Sequence, residues 1–149
     1  MTTTTRTQTP AGELDFLGAR CRILADAAGT GGRYGLVDMI EVPAGQMPPL
    51  HLHRSEDEGF LVIDGELTLY LPGREVTLRP GEFFLAPRGV PHTYRAGDDP
   101  AHYLVLSRPA GFEGFVADVA ALDDPSPEAL GATAATHDIE LLGPPGAMP

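Results

Sequence analysis

The chain has 149 residues, a formal net charge of -11 and 42% apolar content, which suits one folded domain around one core and excludes wholesale disorder. All ten basic residues are arginines in an acidic background, a balance that excludes a nucleic-acid or anionic-membrane partner, since phosphate binding needs a basic patch. No apolar run approaches the ~20 residues of a membrane span, and a single cysteine, Cys21, suits a reducing cytoplasm.

Residues 1–11 are Thr-rich and polar with no apolar stretch, so a disordered arm is expected there rather than a secretory signal. From residue 12 to about residue 110, short runs with strand-like alternation follow one another, each closed by Gly, Pro or Asp. Strands are expected at residues 20–25, 34–42, 50–53, 58–63, 66–71, 75–78, 83–86, 92–95 and 102–107. Asp64-Gly65 between two apolar runs reads as a hairpin turn, and Pro72-Gly73 and Pro80-Gly81 read as two further turns. Many short strands with no helix between them point to an all-β sandwich or barrel. Residues 111–149 differ. Phe112, Phe115, Val116 and Val119 recur at helical spacing. Asp124-Pro125 closes that helix, and Ser126-Pro127-Glu128 opens another with a cap, a proline at its first position and an acid in its first turn. Residues 139–142 form a short final strand or extended segment. With seven acids and no arginine, residues 111–149 read as an acidic helical cover on the β body, not as a second domain.

The chemistry concentrates in a few residues. His51 and His53 are two apart, so on a strand both imidazoles face the same side. Glu58 opens the next strand and His92 follows a Pro/Gly-rich turn. Three histidines and a carboxylate make an N/O donor set that suits Fe, Mn, Co, Ni, Cu or Zn. Taken alone, a His-x-His pair on a strand is more often surface decoration.

The surrounding spacing decides between these. Gly45, His51, His53, Glu58 and Gly65 stand at the intervals of the first motif of the cupin family, and Gly81, Pro87, Gly89 and His92 at those of the second. The chain resembles a small single-domain cupin, departing from the second motif at Ala96, where the family commonly has Asn. The resemblance implies a double-stranded β-helix, or jelly-roll barrel, with short C-terminal helices. It also implies that His51, His53, Glu58 and His92 converge on one divalent transition metal per chain. Looser matches at Thr30–Tyr34, Pro48–His53, Pro109–Glu113 and Leu142–Pro145 are similar to monocupins of the quercetin 2,3-dioxygenase-like group. That likeness implies oxygen-dependent cleavage of a flavonol-like or other aromatic enol, with Glu58 both ligand and catalytic base. Alternation adds Phe60 and Val62 to the inward face beside Glu58, and Tyr94 beside His92, as the expected substrate wall.

Two other functions fit the same residues. A polyketide cyclase, isomerase or lyase would use the metal as a Lewis acid without O₂. A non-catalytic cupin would bind a small molecule only, although a barrel with no such task needs no four-ligand set. A homodimer that covers sheet edges is expected. The remaining candidates read as structural. His102 is outside the motif, His137 lies at a helix end, Cys21 is a small buried hydrophobe, and Gly29–Gly32 is a turn without the lysine of a phosphate loop. The tail phenylalanines read as core. Glu56 and Asp57 read as a solvated turn, with support of the ligands as the alternative.

Overall fold

A computed structural model describes residues 12–149; the expected N-terminal arm, residues 1–11, lies outside them. The strands are β1 (Leu14–Phe16), β2 (Ala19–Ala25), β3 (Gly35–Val42), β4 (Pro49–His53), β5 (Asp57–Asp64), β6 (Leu67–Leu71), β7 (Arg74–Leu78), β8 (Phe83–Ala86), β9 (Thr93–Ala96), β10 (Ala101–Arg108) and β11 (Ile139–Pro145). Three helices, α1 (Ala27–Thr30), α2 (Phe112–Ala120) and α3 (Pro127–Thr136), complete the order.

Two layers face each other. One is a six-stranded antiparallel sheet ordered β1-β2-β3-β10-β5-β8. The other joins the pair β11-β4 to the triplet β7-β6-β9 through a bridge in which His51 and His92 exchange backbone hydrogen bonds of 3.1 and 2.8 Å. This is the jelly-roll sandwich expected from the short, evenly punctuated strands. Alternation sends Phe60 and Val62 of β5, Tyr103 and Val105 of β10, and Leu67 and Leu69 of β6 into the space between the layers, where all are buried. On the opposite side, Ile63, Phe83 and Leu85 stay exposed.

Several local features depart from the sequence expectations. Asp64-Gly65 joins β5 to β6, which lie in different sheets, so it is a crossover corner rather than a hairpin turn. Gly65 is required there twice. Its φ is +77°, and a Cβ would sit 2.8 Å from the Pro100 carbonyl oxygen. Pro72-Gly73 does close the β6–β7 hairpin, with Leu71 opposite Arg74. β1 and the one-turn α1 are too short to show a period, and neither was expected from the sequence. The first C-terminal helix stops at Ala120, before Asp124-Pro125. The second opens as expected, with Ser126 capping the Ala129 amide at 3.1 Å.

The C-terminal segment is built into the body. Phe112 and Phe115 pack edge-on against Phe16, at 6.0 and 5.8 Å between ring centroids. β11 then pairs antiparallel with β4, placing Ile139 opposite His53 and Leu141 opposite His51. No helix among the described residues is long and apolar enough to cross a membrane.

Candidate metal centre

The four sequence-selected donors meet. One donor atom from each of His51, His53, Glu58 and His92 lies within 4.8 Å of the others, and all four residues are buried. β4 supplies the two histidines of the His-x-His pair, with ring centroids 5.1 Å apart. β5 supplies Glu58 from the facing sheet. The Gly89 turn delivers His92, whose ring is 4.5 Å from that of His51. Phe60, two residues after Glu58, packs behind the cluster at 6.4 Å from the His92 ring.

Hydrogen bonds orient each imidazole. Nδ1 of His51 donates to the Pro49 carbonyl at 2.7 Å, and Nδ1 of His92 donates to the Val90 carbonyl at 3.1 Å. Nδ1 of His53 donates to Glu56 Oε1 at 2.8 Å. With every Nδ1 engaged outside the cluster, the Nε2 atoms are left for its centre. Those of His53 and His92 lie 2.8 and 3.0 Å from Glu58 Oε2. Despite that proximity, His53 Nε2 makes no hydrogen bond of acceptable angle, and Glu58 Oε1 has no partner at all. Buried polar atoms are rarely left so. A divalent cation among these donors would satisfy both, so the donor set fits such an ion in chemistry as well as in spacing.

Titration behaviour follows from the same crowding. Burial, with the neighbouring His92 and His53, pushes His51 down to about 3. Burial also works against charge on His53, but Glu58 and Glu56 outweigh it and lift this residue to about 10. Glu58 resists its own burial because His53 and His92 hold its carboxyl well below the ordinary range. Without a metal, a proton on His53 therefore balances the Glu58 carboxylate.

An apolar cavity of about 680 Å³ opens beside the cluster, a size that accommodates a small organic ligand. Its wall holds Phe16, Met39, Val42, Tyr94, Tyr103 and Leu130, together with Pro48-Pro49 and the Leu141–Pro145 run, and no charged side chain. A smaller pocket of about 30 Å³ shares Phe16, Tyr94, Leu130 and Leu141 with it and reaches His51 and His53. Of the expected wall residues, Tyr94 lines both spaces. Phe60 and Val62 line neither and are fully enclosed in the core. Burial, then the nearby Glu58 charge, raises the Tyr94 phenol, so it stays protonated. Much of the cavity wall comes from the C-terminal segment, whose leucines and prolines carry no periodic pattern pointing at a pocket.

The other sequence candidates lie apart from the cluster. His102 bonds Asp38 at 2.6 Å, and His137 bonds Asp118 at 2.6 Å beyond the end of α3. Cys21 is fully buried, and burial raises its thiol to about 11, as befits an inert core residue. Gly29–Gly32 forms the end of α1 and the turn after it. Asp57 pairs with Arg88 at 3.2 Å and Arg108 at 3.5 Å. Glu56 overturns the solvated-turn reading. It is 3% exposed and joins His53 to the amide of Phe112. Nothing in the local sequence marks it off from Asp57, because its partners lie on the preceding strand and on α2.

Comparison with known proteins agrees with this geometry. Residues 38–107 match the family described as the cupin domain. Over 73 residues the chain is 37% identical to quercetin 2,3-dioxygenase of Bacillus subtilis (strain 168), covering 49% of this chain and 21% of that protein. The chain thus spans about a fifth of the length of the curated relative it matches. Among solved structures, KdgF from Halomonas sp. shares the fold with a TM-score of 0.58 at 23% identity, over 66% of this chain and 86% of that one. DMSP lyase DddQ from Ruegeria pomeroyi DSS-3 aligns with a TM-score of 0.54 at 28% identity, over 72% of this chain and 54% of that one.

Proposed function

The chain belongs to the cupin superfamily, and on that premise we propose that it is a metal-dependent enzyme acting on a small, uncharged, largely apolar substrate. His51, His53, Glu58 and His92 would hold one divalent transition metal. The observation that carries the reading is the buried meeting of these four side chains with two inward polar atoms left unpartnered.

A metal bound there supplies Lewis acidity toward a substrate oxygen and, where it can change oxidation state, a route for electrons to O₂. The chain's own residues do the rest. Glu58, the carboxylate of the set, is the chain's candidate base for the proton of an enolic hydroxyl. Tyr94, protonated and set between cavity and cluster, offers its hydroxyl as a donor to a substrate oxygen. The apolar wall suits a flat aromatic ring. The favoured reaction is dioxygenation of a flavonol-like or other aromatic enol, supported by the partial match to quercetin 2,3-dioxygenase. The likeness to a protein named as a lyase favours a second reading, oxygen-independent proton transfer or elimination at the same centre. The same proposal includes a homodimer across β8, an edge strand whose outer face exposes Phe83 and Leu85.

The test is elemental analysis of the purified protein, then turnover of flavonols and poly-β-ketones in air and under argon. O₂ uptake coupled to substrate loss supports dioxygenation, and equal rates without O₂ support the Lewis-acid reading. A fully metal-loaded protein that turns over none of these, yet binds them, is a binding module. Absence of any stoichiometric metal defeats the proposal.

A further inference from the structure

We propose that Glu56 is a positioning residue that couples docking of the C-terminal helix α2 to metal affinity, acting through His53. The inference rests on the metal reading above and goes beyond it. The three histidines are not held alike. His51 and His92 lean on carbonyls of their own local backbone, two residues away in each case. At its Nδ1, His53 alone is held by a side chain, and that side chain has two attachments. Glu56 Oε1 accepts from His53 Nδ1 at 2.8 Å, and Oε2 accepts from the Phe112 amide at 3.1 Å.

Phe112 is the first residue of α2, whose amides need acceptors. Its N-cap, Gly111, has no side chain to offer, so Glu56 serves as an acceptor from 56 positions away. The fit is close. A Cβ on Gly111 would lie 1.9 Å from Glu56 Oε2 and 2.9 Å from its Cδ. Gly111 has an extended φ of 177° that any residue adopts, so the requirement for glycine there is one of space. One carboxylate thus fixes both the ring of a metal-facing histidine and the start of a helix outside the matched cupin region, residues 38–107. Carboxylates that bond the outer nitrogen of a metal-binding histidine fix its tautomer and raise its basicity, and losing one typically weakens affinity by about 10–100-fold.

The test compares the full-length wild-type chain with E56A, E56Q and G111A. Zn²⁺ affinity is measured by competition with a chromophoric chelator. The His53 Nδ1–H resonance is followed by NMR in Zn²⁺-loaded and Zn²⁺-free protein, and thermal melting reports folding. Wild type should show a downfield, slowly exchanging Nδ1–H. E56A should lose it and bind Zn²⁺ about 10–100-fold more weakly. E56Q, which keeps one neutral acceptor, should recover part of both. G111A, which removes no polar group, should weaken Zn²⁺ binding by displacing Glu56. If E56A does not fold, E56Q and G111A carry the comparison. Wild-type Zn²⁺ affinity in the folded variants, with the resonance unchanged, refutes the coupling alone. A wild-type chain that binds no Zn²⁺ but shows the hydrogen-bonded Nδ1–H instead overturns the metal reading, and the coupling with it.

Discussion

Loading the centre with Zn²⁺ at pH 7 should release at least one proton per chain, the one held by His53. Burial disfavours a charged His53, but Glu58 and Glu56 overcome it and raise the group to about 10, so the metal-free protein carries this proton at neutral pH. His51, pushed down to about 3, is already neutral and releases none. Glu58, held ionised by His53 and His92, also releases none. The metal-free form holds more protons than the loaded form, so acid favours it and weakens binding. The His53 proton alone should make affinity climb about tenfold per pH unit above neutrality, or about 1.4 kcal/mol, until pH nears about 10. Calorimetric Zn²⁺ titrations in buffers of different ionisation enthalpy measure the proton count directly. A slope of zero against buffer enthalpy, with stoichiometric binding, would refute the charge balance between His53 and Glu58.

Three further outcomes are expected. His53→Ala should abolish stoichiometric Zn²⁺ uptake by elemental analysis. It should also lower the stability of the metal-free fold by about 3 kcal/mol in urea, because Glu58 loses a buried counter-charge. Gly65→Ala should cost more in urea unfolding than Gly73→Ala. Both glycines have positive φ, but only Gly65 has a backbone oxygen 2.8 Å from the added Cβ. Leu130→Trp should crowd the cavity and weaken flavonol binding about tenfold, roughly 1.4 kcal/mol, in a fluorescence titration. Zn²⁺ affinity should change far less, because Leu130 supplies no donor atom; unchanged flavonol affinity would argue that the substrate sits elsewhere.

The fold class and the shared facing of His51 and His53 were legible in the linear chain because both depend on local rules, whereas Glu58 and His92 joined them through the resemblance to the cupin motifs. A strand repeats every two residues, so His51 and His53 had to share a face, and glycine and proline had to mark where strands turn. What the chain hid were relations between distant segments. Asp64-Gly65 has the residues of a hairpin turn, but whether the flanking strands pair depends on which sheet each joins, and that is settled by packing between the layers. Phe60, Val62 and Tyr94 share the inward face that alternation assigned to them, yet Tyr94 lines the cavity while Phe60 and Val62 are sealed in the core. Depth between two sheets decides this, and no single strand encodes it.

The sequence by itself determined which atoms could bind a cation and the strand period that turns them inward. Only the tertiary structure decided that β11 would pair with the strand bearing His51 and His53, that leucines and prolines of the tail would wall the cavity, and that Glu56 would be buried between a histidine and a helix. The physical reason is that donor chemistry belongs to individual side chains and periodicity to neighbours. Burial and hydrogen-bond partnership belong to pairs of segments, whose meeting is set by how the whole chain hides its apolar surface.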